Sequence, residues 1–162
     1  MLILLKEVNM AYSAIAVANA FLKLAEENNK SLTNMQLQKL VYIAHGYCLA
    51  MLGQPLFYNN VHAFEWGPVI PKLYKQLRKY GASKITEQIS TIDEPVPSPK
   101  PEMAIIRGVW NSYGDFSGPK LSTITHREGT PWSVTWKENQ FGVIDNDLIA
   151  EHYQQLLNEQ KV

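Results

Sequence analysis

The sequence predicts a mainly α-helical fold, a compact single-domain bundle of about six helices with a small β-hairpin between the second and third helices. Three observations carry this expectation. Apolar residues recur at helical spacing through most of the chain after Ser13, and the stretch around residues 55–66 turns to an extended pattern. At 162 residues with 46% hydrophobic content, the chain has material for one substantial core. A domain of this size buries roughly 70% of the surface its unfolded chain exposes.

The first helix starts behind Ser13, a good N-cap, with Ala14, Val17, Ala18, Phe21, Leu24 and Ala25 on one face and Asn19, Lys23, Glu26 and Glu27 on the other. Thr33 with Gln36 three residues later gives a capping box for the second helix, about Asn34 to Leu52. Leu37, Leu40, Val41, Ala44, Cys48 and Met51 form its main stripe, and Ile43, Gly46 and Ala50 leave the far side apolar or small as well. A helix apolar round most of its circumference belongs at the centre of the bundle. Gly53 closes it.

From Pro55 to Trp66 the pattern predicts two short strands with Asn59-Asn60 as their turn, ended by Gly67-Pro68. Pro71 suits the first turn of a third helix whose Ile70, Leu73, Leu77 and Tyr80 share a stripe that stops at Gly81. Pro95, Pro97, Pro99 and Pro101 make residues 82–101 a proline-rich connection that wraps one body instead of dividing two. Three shorter helices follow: Glu102 to Tyr113, Pro119 to His126 capped by Ser117, and Ile149 to Gln160 capped by Asp145. Thr130-Pro131-Trp132 starts a brief turn or helical piece. Residues 1–9 read as an extension too short and too soon charged for a signal segment, and Met10 stands as an alternative start to Met1.

Fifteen basic and fifteen acidic residues balance, so whole-chain charge draws neither nucleic acid nor an anionic membrane. One cysteine, Cys48, excludes an internal disulfide framework and fits the cytoplasm. His45 and Cys48 lie three apart on one helix, but a thiol on an apolar stripe reads as core. His62, His126 and His152 are too scattered for a metal site, and no phosphate loop or nucleophile elbow is present. No cofactor, metal or catalytic residue is therefore assigned. Lys72, Lys75, Arg78, Lys79 and Lys84 form a basic run, read first as a solvated helix face. Most of the aromatics read as core, with Tyr42 and Tyr74 as candidate partner anchors at the surface.

Leu40-Val41-Tyr42-Ile43-Ala44-His45-Gly46-Tyr47, then Gly53-x-Pro55-Leu56-Phe57, then Ala63-Phe64-Glu65-Trp66-Gly67-Pro68-Val69-Ile70-Pro71-x-x-Tyr74, and later Leu121-x-x-Ile124-Thr125-His126 before Pro131-Trp132 stand in this order. Together they resemble the SocA-like, Panacea-domain antitoxin family, which includes phage-associated GepA-like proteins. The resemblance runs from about Ser13 to Tyr153 and would make residues 10–162 the domain. It departs from the family pattern at Phe64-Glu65 and in the longer step at Gly129-Thr130. It implies a helical, non-enzymatic antitoxin that neutralises a cognate toxin by direct contact. The motif residues Glu65, Trp66, Gly67, Pro68, Pro71, Thr125, His126, Pro131 and Trp132 read as structural first, fixing a hairpin-to-helix junction and a loop, and as interface candidates second.

Partner contact is expected along Tyr42, His45, Tyr74, Lys72, Lys75, Arg78 and Lys79. Alternatives stand beside the antitoxin reading. They are a nucleic-acid-binding regulator of its own operon that uses the basic helix, an adaptor that delivers the toxin to a protease, and an enzyme centred on His45, Cys48 or His126. The toxin's identity and the oligomeric state are not legible.

Overall fold

A computed structural model describes residues 11–160, so the expected extension over residues 1–9 and the choice between Met1 and Met10 lie outside the described residues. Among the described residues, seven α-helices and one two-stranded antiparallel sheet form a single packed body. The helices are α1 (Ala14–Glu27), α2 (Asn34–Leu52), α3 (Pro71–Leu77), α4 (Pro101–Tyr113), α5 (Gly118–His126), α6 (Pro131–Glu138) and α7 (Asn146–Glu159). The strands β1 (His62–Phe64) and β2 (Gly67–Val69) fall between α2 and α3, as the sequence predicts.

Capping chemistry sets the helix ends. Ser13 accepts from the Ala16 amide, Ser117 from Lys120, Thr130 from Ser133 and Asp145 from Asp147, and Thr33 and Gln36 form the full capping box. Gly53 ends α2 at φ 69°, a conformation that costs glycine little. The piece beginning at Thr130-Pro131-Trp132, expected as a brief turn or helical piece, is a helix of two full turns, α6.

Helix α2 is the axis of the molecule, packed against α1, α4, α5 and α7. Every residue from Leu37 to Cys48 is buried, including Gln38, Lys39 and His45. Met51, expected on the inward stripe, is 57% exposed in the last turn of α2, where with Leu52 it borders an open groove against Pro101, Ala104 and Ile105 of α4. At Gly46 the backbone of α2 meets the ring of Tyr153 from α7, and a Cβ there would lie 2.2 Å from Tyr153 Cδ2.

The segment 82–100 runs along α1. Asn19 donates through Nδ2 to the Ile89 carbonyl (2.9 Å) and accepts from the Ile89 amide (2.8 Å), the Ile85 amide reaches the Leu32 carbonyl (2.8 Å), and Ile85 and Val96 are buried. The prolines leave few donors to satisfy, which suits a backbone laid on helices instead of into a sheet.

Tyr42 is 1% exposed, and its hydroxyl finds no partner among the described residues. The anchor expected at the surface is therefore a core residue, edge-on to Tyr153 at 6.1 Å. Burial pushes its phenol pKa up. A buried hydroxyl with nothing to bond opposes folding, so Tyr42→Phe is expected to stabilise the fold by about 1 kcal/mol. Urea unfolding with an unchanged midpoint or a lower one would refute this.

Candidate partner-binding face

The expected turn at Asn59-Asn60 is not where the hairpin reverses. Asn59 Oδ1 instead accepts from the Ala14 amide (2.8 Å) and caps α1, and the turn is Glu65-Trp66. His62 pairs with Val69, Ala63 with Pro68 and Phe64 with Gly67, so Gly67-Pro68 forms the second strand instead of breaking the first. Residues 141–144 then line the other side of β1. The Phe141 amide donates to the Ala63 carbonyl (2.9 Å), the Ala63 amide to Gly142 (2.9 Å) and the Ile144 amide to Val61 (2.8 Å), with His62 opposite Val143.

Strand alternation decides what this ribbon shows to solvent. Ala63 points inward and is fully buried, which turns His62 and Phe64 outward beside their cross-strand neighbours Val143 and Phe141. Phe141 is 53% exposed and Val143 49%. Phe64 packs edge-on to Phe141 at 5.6 Å, Phe141 to Trp136 at 5.2 Å, and Trp136 stacks on Trp132 at 5.4 Å. Phe141 also holds a φ of 66°, uncommon for a non-glycine residue. At the tip stands Trp66, 63% exposed although tryptophan is well buried on average.

The backbone behind this display is pinned at successive points. Trp132 Nε1 donates to the Phe64 carbonyl (2.6 Å), Ser122 Oγ to the Trp66 carbonyl (2.6 Å) and Lys39 Nζ to the Pro68 carbonyl (2.9 Å), while Gln38 Oε1 accepts from the Ile70 amide (2.9 Å). Four side chains from α2, α5 and α6 therefore converge on one turn. His126 bonds the Ser122 carbonyl through Nδ1 and sets its ring edge-on to Trp132 at 5.2 Å, and Thr125 Oγ1 donates back to the Leu121 carbonyl (2.9 Å). Gly67 has a φ of 116°, and a Cβ there would lie 3.3 Å from Lys39 Nζ and 3.4 Å from Thr125 Oγ1, so any side chain at this position would be strained and tightly packed. Pro71 starts α3 and Pro131 starts α6.

Trp66, Gly67, Pro68, Thr125, His126 and Trp132 thus come together in space. Glu65 and Trp66 are exposed at the tip of this cluster, with its other residues beneath or beside them.

The remaining expected contact residues divide. Tyr74 is 42% exposed, and Lys72, Lys75, Arg78 and Lys79 stand in solvent on α3 and the 3-10 turn Arg78–Tyr80. His45, like Tyr42, cannot touch a partner from where it lies. It is 1% exposed, stacked on Phe57 at 4.0 Å, with Nδ1 accepting from the Leu56 amide (3.3 Å) and Nε2 bonded to Asn146 Oδ1 (3.0 Å). Burial lowers its pKa to about 4 against the opposing Asn146 bond, so the ring is neutral and fastens α7 to α2. Burial likewise pushes the Cys48 thiol up to about 12, which leaves it uncharged and poorly nucleophilic at neutral pH.

Residues 37–133 match the family described as "Antitoxin SocA-like, Panacea domain". The chain belongs to this family. It is 32% identical over 129 residues to Antitoxin SocA of Caulobacter vibrioides (strain NA1000 / CB15N), an alignment that covers 75% of this chain and 69% of that protein. No solved structure matches the chain. The Panacea-domain match begins just ahead of Gln38 and ends just past Trp132, so it encloses all four side chains that pin the hairpin. Phe141 and Val143 fall beyond it. Among the described residues no helix is long and apolar enough to cross a membrane, and no three His, Cys, Asp or Glu side chains are grouped to hold a metal.

Two features of the site escape the sequence reading. Lys39 hides inside an apolar helix, where its neighbours Leu37, Leu40 and Val41 are the only hint that it is buried. The strand-like segment 141–144 carries no local signal, because its pairing partners lie some 79 residues upstream.

Proposed function

We propose that this chain is an antitoxin that neutralises a cognate toxin by direct protein contact, without catalysis, and that the contact is made by Trp66 and the aromatic face of the hairpin ribbon. The observation that carries this reading is the exposure of Trp66, 63% in solvent on a turn whose flanking carbonyls are each held by a buried donor. A large apolar side chain held out rigidly loses little conformational freedom when it binds, and tryptophan is enriched among interface hot spots. Phe64, Phe141 and Val143 extend the apolar area behind it, and Tyr74 with Lys72, Lys75, Arg78 and Lys79 supplies a second, basic region that favours an acidic partner surface. Stable recognition buries about 1,200–2,000 Å² in total, more than one tip provides, so both regions are needed.

The test uses the protein encoded beside this one. Co-expression is expected to relieve its growth arrest, and the two are expected to co-purify. Trp66→Ala is expected to weaken association by about 2 kcal/mol or more, roughly thirtyfold, while thermal stability stays within about 0.5 kcal/mol. Unchanged affinity in this variant would remove the hairpin from the contact, and failure of the wild-type chain to bind or protect would remove the antitoxin reading.

A further inference from the structure

Lys39 is the one side chain of the hairpin anchor that carries a charge when protonated, and its setting does not suit a charge. It is 2% exposed, and among the described residues Nζ makes a single hydrogen bond, to the Pro68 carbonyl, leaving its other protons without an acceptor. Its nitrogen bonds the Pro68 carbonyl beside Gly67 of β2, and Thr125 and His126 of α5 border the same space that a Cβ on Gly67 would enter. His126 bonds the Ser122 carbonyl through Nδ1. Glu65 of the turn and Lys72 of α3 stand exposed, and no charged side chain contributes to the shift that burial alone imposes on Lys39, which lowers it to about 7. Directly above lies Gly67, at a φ open to glycine and few other residues, in a two-stranded sheet of three residues per strand. A ribbon this short is stable only through what holds it down.

We propose that Lys39 is a latch for the hairpin: an uncharged amine lets the Glu65-Trp66 turn close over it against Pro68, and a protonated one favours an open turn in which the ammonium reaches water. Protonation of one buried side chain then controls how Trp66 is presented. The consequence for toxin contact rests on the reading given above; the latch itself does not.

The sign follows from the two environments. Closed, the amine titrates near 7. Open, it returns toward the ordinary lysine value of about 10.4. Between these values the open form binds one more proton than the closed form, so opening becomes about tenfold rarer for each pH unit of rise and levels off below pH 7. Lys39→Met removes the titration and holds the turn closed; Lys39→Arg keeps the charge and holds it open.

Amide hydrogen exchange on the full chain, corrected for intrinsic rates, reads this without any toxin. From pH 7 to 8.5 the protection of the Ile70 amide and of the β1 amides is expected to rise about fifteenfold in the wild type, because the closed-state amine is already half protonated at pH 7. It should be flat and high in Lys39→Met, and flat and low in Lys39→Arg. The α2 amides of Leu40 and Val41 must stay better protected throughout. PH-independent protection in the wild type, or hairpin amides that exchange at the same rate as those of α2, would overturn the latch. Association with the neighbouring gene product over the same pH range separates the two readings. Exchange that follows the pattern with affinity that does not would keep the latch and sink the Trp66 contact.

Discussion

Gly46→Ala is expected to destabilise the fold by about 3 kcal/mol, because the new methyl group has nowhere to go. Its Cβ would lie 2.2 and 2.3 Å from Cδ2 and Cε2 of Tyr153 and 2.8 Å from Cγ, all of them rigid ring atoms. Tyr153 cannot swing away, since it is 3% exposed and wedged edge-on against Tyr47 at 4.9 Å and Tyr42 at 6.1 Å. The helix must therefore shift from α7, and with it the His45 bond to Asn146. Alanine favours a helix over glycine by about 1 kcal/mol, which works against the clash and makes the sign of the result informative. Gly108 in α4 supplies the control, because a Cβ there meets nothing within 4 Å. Gly108→Ala should gain stability from the same propensity change. For a chain of this size 3 kcal/mol corresponds to a fall of about 6–12 °C in Tm. Calorimetry in which both variants move up together would show that α2 and α7 are not in contact at Gly46.

Gly46 also marks how far the sequence can be read. That α2 is central is legible, since its apolar residues surround the helix and only a position with neighbours on several sides suits such a pattern. By the same logic Tyr42, His45 and Lys39 had to be buried, yet their polar atoms suggest an exposed role when each residue is considered alone. Helix starts are legible because Ser13, Thr33, Ser117, Thr130 and Asp145 act through bonds to amides two or three residues away. A hairpin between α2 and α3 is legible too, but its register, its third member and the donors that pin it are not, because these come from α2, α5, α6 and residues 141–144. Asn59 shows the same limit in miniature. An Asn-Asn pair suits a hairpin turn by local chemistry, and the fold uses its side chain on α1, 45 residues away.

The motif residues Trp132 and Trp66 look alike in the sequence and do opposite things in the molecule. Trp66 is exposed, whereas Trp132 is 9% exposed, stacked on Trp136 and bonded through its indole N–H to the Phe64 carbonyl. Its removal acts on stability first. Trp132→Ala is expected to lose about 4 kcal/mol, the usual result when a large aromatic is cut from a packed site and leaves a cavity. Trp132→Phe separates packing from the hydrogen bond, because phenylalanine fills most of the space and donates nothing. The Phe64 carbonyl then lacks its donor at a cost of about 1 kcal/mol. That loss falls on the strand leading into the Glu65-Trp66 turn, so the Phe variant should stay folded while its β1 amides lose protection. If the hairpin must be rigid to bind, toxin association in Trp132→Phe drops by more than its change in unfolding free energy accounts for. Equal protection of β1 in the wild type and Trp132→Phe would mean that the indole hydrogen bond does not hold the turn.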